Sequence, residues 1–249
     1  MSTPNTDQEV PVDGPQPPRR RSATGGVAAA VRETVLVVAV ALVVSLVVKT
    51  FLLQAFYIPS ESMERTLDIG DRVVVSKLTP GPFDLHRGDV VVFEDPGGWL
   101  PETTPPDRGP VGTVVAEALT FVGLLPEDSD DHLIKRVVGL PGDHVVCCDA
   151  QGSITVDDVA VDESGYLFPG AGPSLDDFDV TVPAGMLWVM GDNREHSADS
   201  RYNRDKPHDG FVPVANVTGR AYAVVWPLSH WDWLSTPSAF AQVGGGGAQ

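Results

Sequence analysis

The sequence predicts a mainly β protein, an antiparallel barrel or a set of packed sheets, preceded by one transmembrane helix near the N-terminus. Three observations carry that expectation. A dense apolar run from Val35 to Leu53 stands apart from a chain whose apolar content is an ordinary 42%. Beyond it come short β-branched segments: 72–76, 89–93, 134–138, 144–147, 153–156, 186–190 and 220–226. Turn signals such as Pro80-Gly81, Arg87-Gly88-Asp89 and Pro141-Gly142-Asp143 separate them.

Taken in order, residues 1–32 hold Pro, Gly, Gln and Thr and end in a basic stretch, too polar to offset the entropy of ordering. They are expected to form a disordered cytoplasmic tail. Residues 33–54 are the expected transmembrane helix, since Val35–Leu53 spans about 28 Å as a helix, close to the hydrocarbon thickness. Val48-Lys49-Thr50 is a poor cleavage site, so a retained anchor is favoured over a cleaved leader. Arg19, Arg20, Arg21 and Arg32 precede the span and put the N-terminus in the cytoplasm by the positive-inside rule. Residues 55–235 then form an extracytoplasmic β-rich domain, with an insertion at 96–131 that includes a candidate helix over Val114–Val122. Residues 236–249 end in a glycine run and are expected to be a flexible tail.

A net charge of −17 argues against a nucleic-acid partner, because phosphate binding needs clustered Lys and Arg. No metal-ligand spacing appears, so neither a metal nor another cofactor is expected. The only cysteines, Cys147 and Cys148, are adjacent. Such neighbours rarely pair with each other. The favoured reading is two small residues near a strand end; a vicinal disulfide and an intermolecular bridge are the alternatives.

Chemistry is suggested by Tyr57-Ile-Pro-Ser-Glu-Ser-Met63, which follows the span within a few residues. Serines are common in loops, and a nucleophilic one needs a base. The six histidines lie in polar or turn-like surroundings. Of the four lysines, Lys49 is at the membrane edge, Lys77 beside a turn and Lys206 in a polar loop. Lys135 alone lies in a strand-like apolar context, where burial can lower an ammonium from its ordinary value near 10.4. A third segment, Gly191-Asp-Asn-Arg-Glu-His-Ser-Ala-Asp-Ser-Arg201, is crowded with short polar side chains. By itself it reads as a polar turn.

Together, Pro59-Ser-x-Ser-Met63, Lys135-Arg-x-x-Gly-x-Pro-Gly-Asp143 and Gly191-Asp-Asn-Arg-x-x-Ser-x-Asp-Ser-Arg201 closely resemble bacterial type I signal peptidases. The resemblance runs from about Phe51 to Trp226. It departs from the family in the long 96–131 segment, in Glu61, and in the cysteine pair. It implies an antiparallel β-sheet catalytic domain of signal-peptidase type, acting as a serine endopeptidase on secretory preproteins after small-x-small sites. It also implies Ser62 as nucleophile and Lys135 as general base, with the Ser60 hydroxyl and Ser62 N–H as oxyanion hole. Ser197 would orient the amine. Asp199 and Arg201 would pair, Asp192 would support the site with Arg136 as candidate partner, and Met63 would scaffold the nucleophile. Phe56, Ile58 and Ile134 are candidate pocket walls. A nucleophile about nine residues past the span lies within roughly 30 Å of the bilayer, where signal peptides present their cleavage sites. Trp226, Trp231 and Trp233 fit interfacial anchoring, with core packing an equal reading for Trp226. A monomer is the default. The weighed alternatives are a catalytically silent signal-peptidase-like domain that binds exported proteins, and a Ser–Lys protease of the self-cleaving repressor type.

Overall fold

The structure is a computed structural model and describes residues 23–101 and 131–244 of the chain. Helix α1 runs Ala23–Phe51. It starts well before the boundary drawn at residue 33, because hydropathy marks only the apolar part while Ala28-Ala29-Ala30 already favours helix. Ala29–Phe51 is long and apolar enough to cross a bilayer. Val35, Leu36, Val37 and Val38 are all exposed, as an all-round apolar helix in lipid requires.

The remainder is built from antiparallel strands. They are β1 (Leu53–Tyr57), β2 (Arg72–Ser76), β3 (Val90–Glu94), β4 (His132–Gly139), β5 (His144–Cys147), β6 (Thr155–Val156), β7 (Val159–Ala160), β8 (Phe178–Thr181), β9 (Met186–Met190), β10 (Val212–Pro213), β11 (Val217–Trp226) and β12 (Asp232–Trp233). One sheet has the order β1-β2-β11-β3-β4-β9-β10, with β12 added to β11. A smaller one has the order β7-β6-β5-β8. The mainly antiparallel expectation is met. β1 went unread because its residues continue the apolar run of the span, and β8 because Asp179 and its acidic neighbours mask it.

Side-chain alternation divides the core. On β3, Val90 and Val92 join Phe56, Ile58, Met63 and Ile134 in one cluster, while Val91 and Phe93 join Leu133, Val137 and Leu187 in another. On β9, Leu187 and Val189 face that second cluster, and Trp188 and Met190 face a third under the smaller sheet. Strand β4 is buried from Leu133 to Gly139, covered on both faces.

Two local expectations change. Residues 236–244 are not a loose tail: Phe240 and Val243 enter the third core cluster, and Ser238–Gln242 forms a 3-10 helix. Arg87 fixes the segment by donating to the Gly244 carbonyl at 2.6 Å while pairing with Asp143 at 2.5 Å. Two apolar anchors hold what the following glycines disguise. Cys147 and Cys148 are joined to each other in a disulfide, across a cis peptide. At the start of the expected insertion, Asp95 accepts the N–H groups of Gly97, Trp99 and Leu100, and Trp99 packs edge-on against Phe93. The candidate helix over Val114–Val122 lies outside the described residues.

Phe240 is 5% exposed and stacks on Tyr166. Phe240→Ala should lower the unfolding free energy of the detergent-solubilised chain by about 3–5 kcal/mol. Gln242→Ala, at an exposed neighbour, should change it by less than about 0.5 kcal/mol. Equal denaturant midpoints for the two variants would return the segment to a loose tail.

Candidate active site

Strand β1 leads through Ile58 and Pro59 into the 3-10 helix Glu61–Met63. Met63 is fully buried and its carbonyl accepts from the Thr66 and Leu67 N–H groups, which fixes the turn. Ser62 is therefore held at 5% exposure, with Ser60 Oγ 3.4 Å from its own Oγ. The first residues of a helical turn have N–H groups without intrahelical acceptors, and Ser62 is among them.

Lys135 comes from the middle of β4. Its amine lies 2.7 Å from Ser62 Oγ and donates to the Ile134 carbonyl at 3.0 Å. It is 4% exposed. Burial pushes its pKa from 10.5 down to about 8; Asp199 and Asp192 pull it up and Arg201 pushes it down.

The Gly191–Arg201 loop closes over this pair. Asn193 N–H donates to the Ser62 carbonyl at 3.1 Å. A Cβ on Gly191 would stand 2.5 Å from that same carbonyl oxygen and 2.5 Å from Ser197 Cβ, so only glycine lets the two segments meet. Asp199 accepts from Arg201 Nε at 2.9 Å and Nη2 at 2.8 Å, and from Gly191 N–H at 2.9 Å. Arg136 grips Asp192 through Nε at 2.8 Å and Nη2 at 2.5 Å, and reaches the Gly88 carbonyl at 2.7 Å.

Every predicted site residue thus falls in one region, but Ser197 departs from its expected contact. Its hydroxyl donates to Asp199 at 2.8 Å, and the amine instead meets Ser62 and Ile134. Phe56, Ile58 and Ile134 line a cleft of about 130 Å³ together with Ser60, His132 and Lys135. A larger cavity of about 520 Å³, behind Arg136 and Tyr166, contains neither Ser62 nor Lys135.

Several supports went unread in sequence. Gly191 could have been inferred from the glycine that opens its polar loop. Thr66, which donates to Asp192 at 2.5 Å, carries no local signal. Nor does Glu163, which pairs with Arg194 at 2.5 Å across a gap of 31 residues.

A family model for signal peptidase, peptidase S26, matches residues 31–226. The chain belongs to this family. It is 38% identical over 255 residues to a signal peptidase I of Mycobacterium tuberculosis, covering 92% of this chain and 83% of that protein. It is 38% identical over 250 residues to a probable signal peptidase I of Mycobacterium leprae, covering 90% and 83%. A crystal structure of a signal peptidase I from Enterococcus faecalis V583 aligns at 25% identity with a TM-score of 0.33, covering 55% of this chain and 97% of that one.

The depressed Lys135 pKa has a consequence for stability. Between about 8 and 10.5 the unfolded chain binds the proton and the folded chain does not, so stability rises with pH across that window. Below about pH 8 the folded state bears the whole burial penalty, on the order of 3 kcal/mol. Lys135→Met should therefore unfold at higher denaturant than the parent at pH 7. That advantage should shrink at pH 10.5. A gain that is absent at pH 7, or constant with pH, would contradict the dry amine.

Proposed function

We propose that this chain is a membrane-bound serine endopeptidase that removes signal peptides from exported preproteins, with Ser62 as nucleophile and Lys135 as general base. It is a type I signal peptidase by family, and it is membrane-anchored. The observation that carries the residue assignment is the 2.7 Å approach of a buried amine to a buried serine hydroxyl. An amine titrating near 8 is largely protonated in water at neutral pH but retains a reactive neutral fraction, which a lysine at 10.5 would lack.

In this reading neutral Lys135 accepts the Ser62 proton as Oγ attacks the scissile carbonyl carbon. The oxyanion then takes hydrogen bonds from Ser62 N–H and Ser60 Oγ–H, donors set where charge develops. Collapse breaks the C–N bond, and the Lys135 ammonium returns the proton to the leaving amine. A water, deprotonated by the same lysine, hydrolyses the acyl-enzyme. Ile134 carbonyl orients the amine. Asp199, Arg201, Asp192 and Arg136 hold the surrounding loop, with Ser197 acting through Asp199 and Met63 anchoring the nucleophile's turn. The small cleft lined by Phe56, Ile58 and Ile134 suits substrates with small residues before the cut.

The N-terminal arginines support a cytoplasmic tail at 1–32 and a catalytic domain outside, while the net charge of −17 speaks against a nucleic-acid partner and a monomer is the default. Trp226, Trp231 and Trp233 are 52%, 52% and 60% exposed, which favours interfacial anchoring over core packing. The paired hydroxyl and amine argue against a silent binding domain.

Full-length protein in detergent should cleave a preprotein, and Ser62→Ala or Lys135→Ala should lower kcat on the order of 10⁴-fold or more. Ser60→Ala should lose about 10²–10³-fold. The parent rate should climb with pH through about 8. Cleavage that survives either dyad substitution removes the assignment. Protease added outside intact cells should digest residues beyond the span and spare the N-terminal tail; the opposite pattern reverses the topology.

A further inference from the structure

The chain that leaves β3 begins the long 96–131 segment, and its first residues are held in place. Asp95 N–H donates to the Asp131 carbonyl at 3.0 Å, and the Asp95 carboxylate accepts the Leu100 N–H at 3.1 Å. Trp99, just before Leu100, is 7% exposed and packs edge-on against Phe93. A charged acceptor and a buried ring together fix where Leu100 stands.

That place is the cleft beside Lys135. Leu100 is partly buried and lines the space of about 130 Å³ with Phe56, Val92, Leu133 and Ile134. It also packs against the core cluster that contains Leu133. Its contribution to the cleft is an apolar surface, so its bulk is what bears on a side chain entering there.

Position along the cleft decides which substrate residue meets it. The bond to be cut lies where the Lys135 amine meets Ser62. Leu100 is tied through Asp95 to the residue just before His132, and His132 opens β4 three residues, about 10 Å, ahead of Lys135. Strand β9 pairs with Arg136, Val137 and Gly139 and leaves the β4 edge at His132–Lys135 unpaired among the described residues, so an extended peptide can follow that edge. Its alternate side chains share a face about 7 Å apart. The last residue before the cut therefore stops short of Leu100, and the third residue before the cut reaches it.

We propose that Leu100 sets the size limit at the third residue before the cut, admitting Ala and excluding Leu. A side chain too large for the gap must displace Leu100, which its bond to Asp95 and the neighbouring Trp99 oppose. The inference rests on the peptidase reading above and adds to it a selective residue outside the three motifs that carry the chemistry.

The test uses the full-length enzyme in detergent and preprotein-derived peptides varied at one position at a time. The third residue before the cut is Ala, Val or Leu, and the last residue is Ala or Val. Wild type should cut the third-position Ala peptide with a kcat/KM roughly 10- to 100-fold above the Leu peptide, with Val between them. Leu100→Ala should shrink that Ala-to-Leu ratio about tenfold and leave the Ala-to-Val ratio at the last position unchanged. Leu100→Val, a gentler trim, should give an intermediate ratio, and it carries the test should Leu100→Ala not fold. Each readout is a ratio between substrates of one enzyme, so a general loss of activity does not move it. A wild-type ratio near one, or a ratio undiminished in the trimmed variants, overturns the proposal. So does equal relaxation at both positions, the mark of a cleft that has loosened as a whole. Failure of the peptidase reading has a different signature: no peptide is cut, or Ser62→Ala cuts them as well, and the proposal falls with it.

Discussion

Everything in the catalytic domain turns on keeping one amine dry. A lysine in water titrates near 10.4 and leaves almost no neutral form at pH 7. Here β4 is covered on both faces, by the Phe56–Ile134 cluster on one side and the Leu133–Val137 cluster on the other. That double cover removes water from Lys135 and destabilises its charged form. The cover requires a sheet on which β3 and β9 flank β4, and the whole strand order serves that end.

A dry amine is easily undone by a neighbouring carboxylate, and two stand close, Asp199 and Asp192, each of which raises the Lys135 pKa. Both are engaged by a buried guanidinium, Asp199 by Arg201 and Asp192 by Arg136. An arginine in a bidentate grip neutralises the carboxylate's field while its planar fork fixes the loop geometry. The loop therefore has the rigidity of a charged network while leaving Lys135 little net negative charge. Ser197 belongs to the same network: its hydroxyl donates to Asp199, next to the Gly191 backbone that meets the Ser62 carbonyl.

What could be read in the sequence was what is local. Strands β2, β5 and β9 were legible to the residue because β-branched runs end at clear turns. Ser62 and Lys135 were legible as types in context, one on a turn and one inside an apolar strand. Their pairing was legible only through the family resemblance, since 73 residues separate them and only the fold brings them together. The same holds for Thr66 on Asp192 across 126 residues. Residues 236–244 misled for another reason: Phe240 and Val243 supply the burial, but the prolines and glycines around them resemble linker composition. Ser197 was read as the amine's partner, whereas its hydroxyl donates to Asp199, two residues on.

Three consecutive residues of β4 do three separate jobs. Ile134 walls the cleft and holds the amine with its carbonyl, Lys135 faces Ser62, and Arg136 ties the strand to Asp192. Their register is set against β3, where Val92 pairs with Ile134, Val91 with Lys135 and Val90 with Arg136. A slip of one residue would exchange the two faces of the strand and displace Ile134, Lys135 and Arg136 together. The side chains of β4 itself oppose it, because Ile134 is buried in one cluster and Leu133 and Val137 in the other, and Arg136 would lose Asp192. The apolar residues that flank Lys135 on its own strand thus set where its amine meets Ser62.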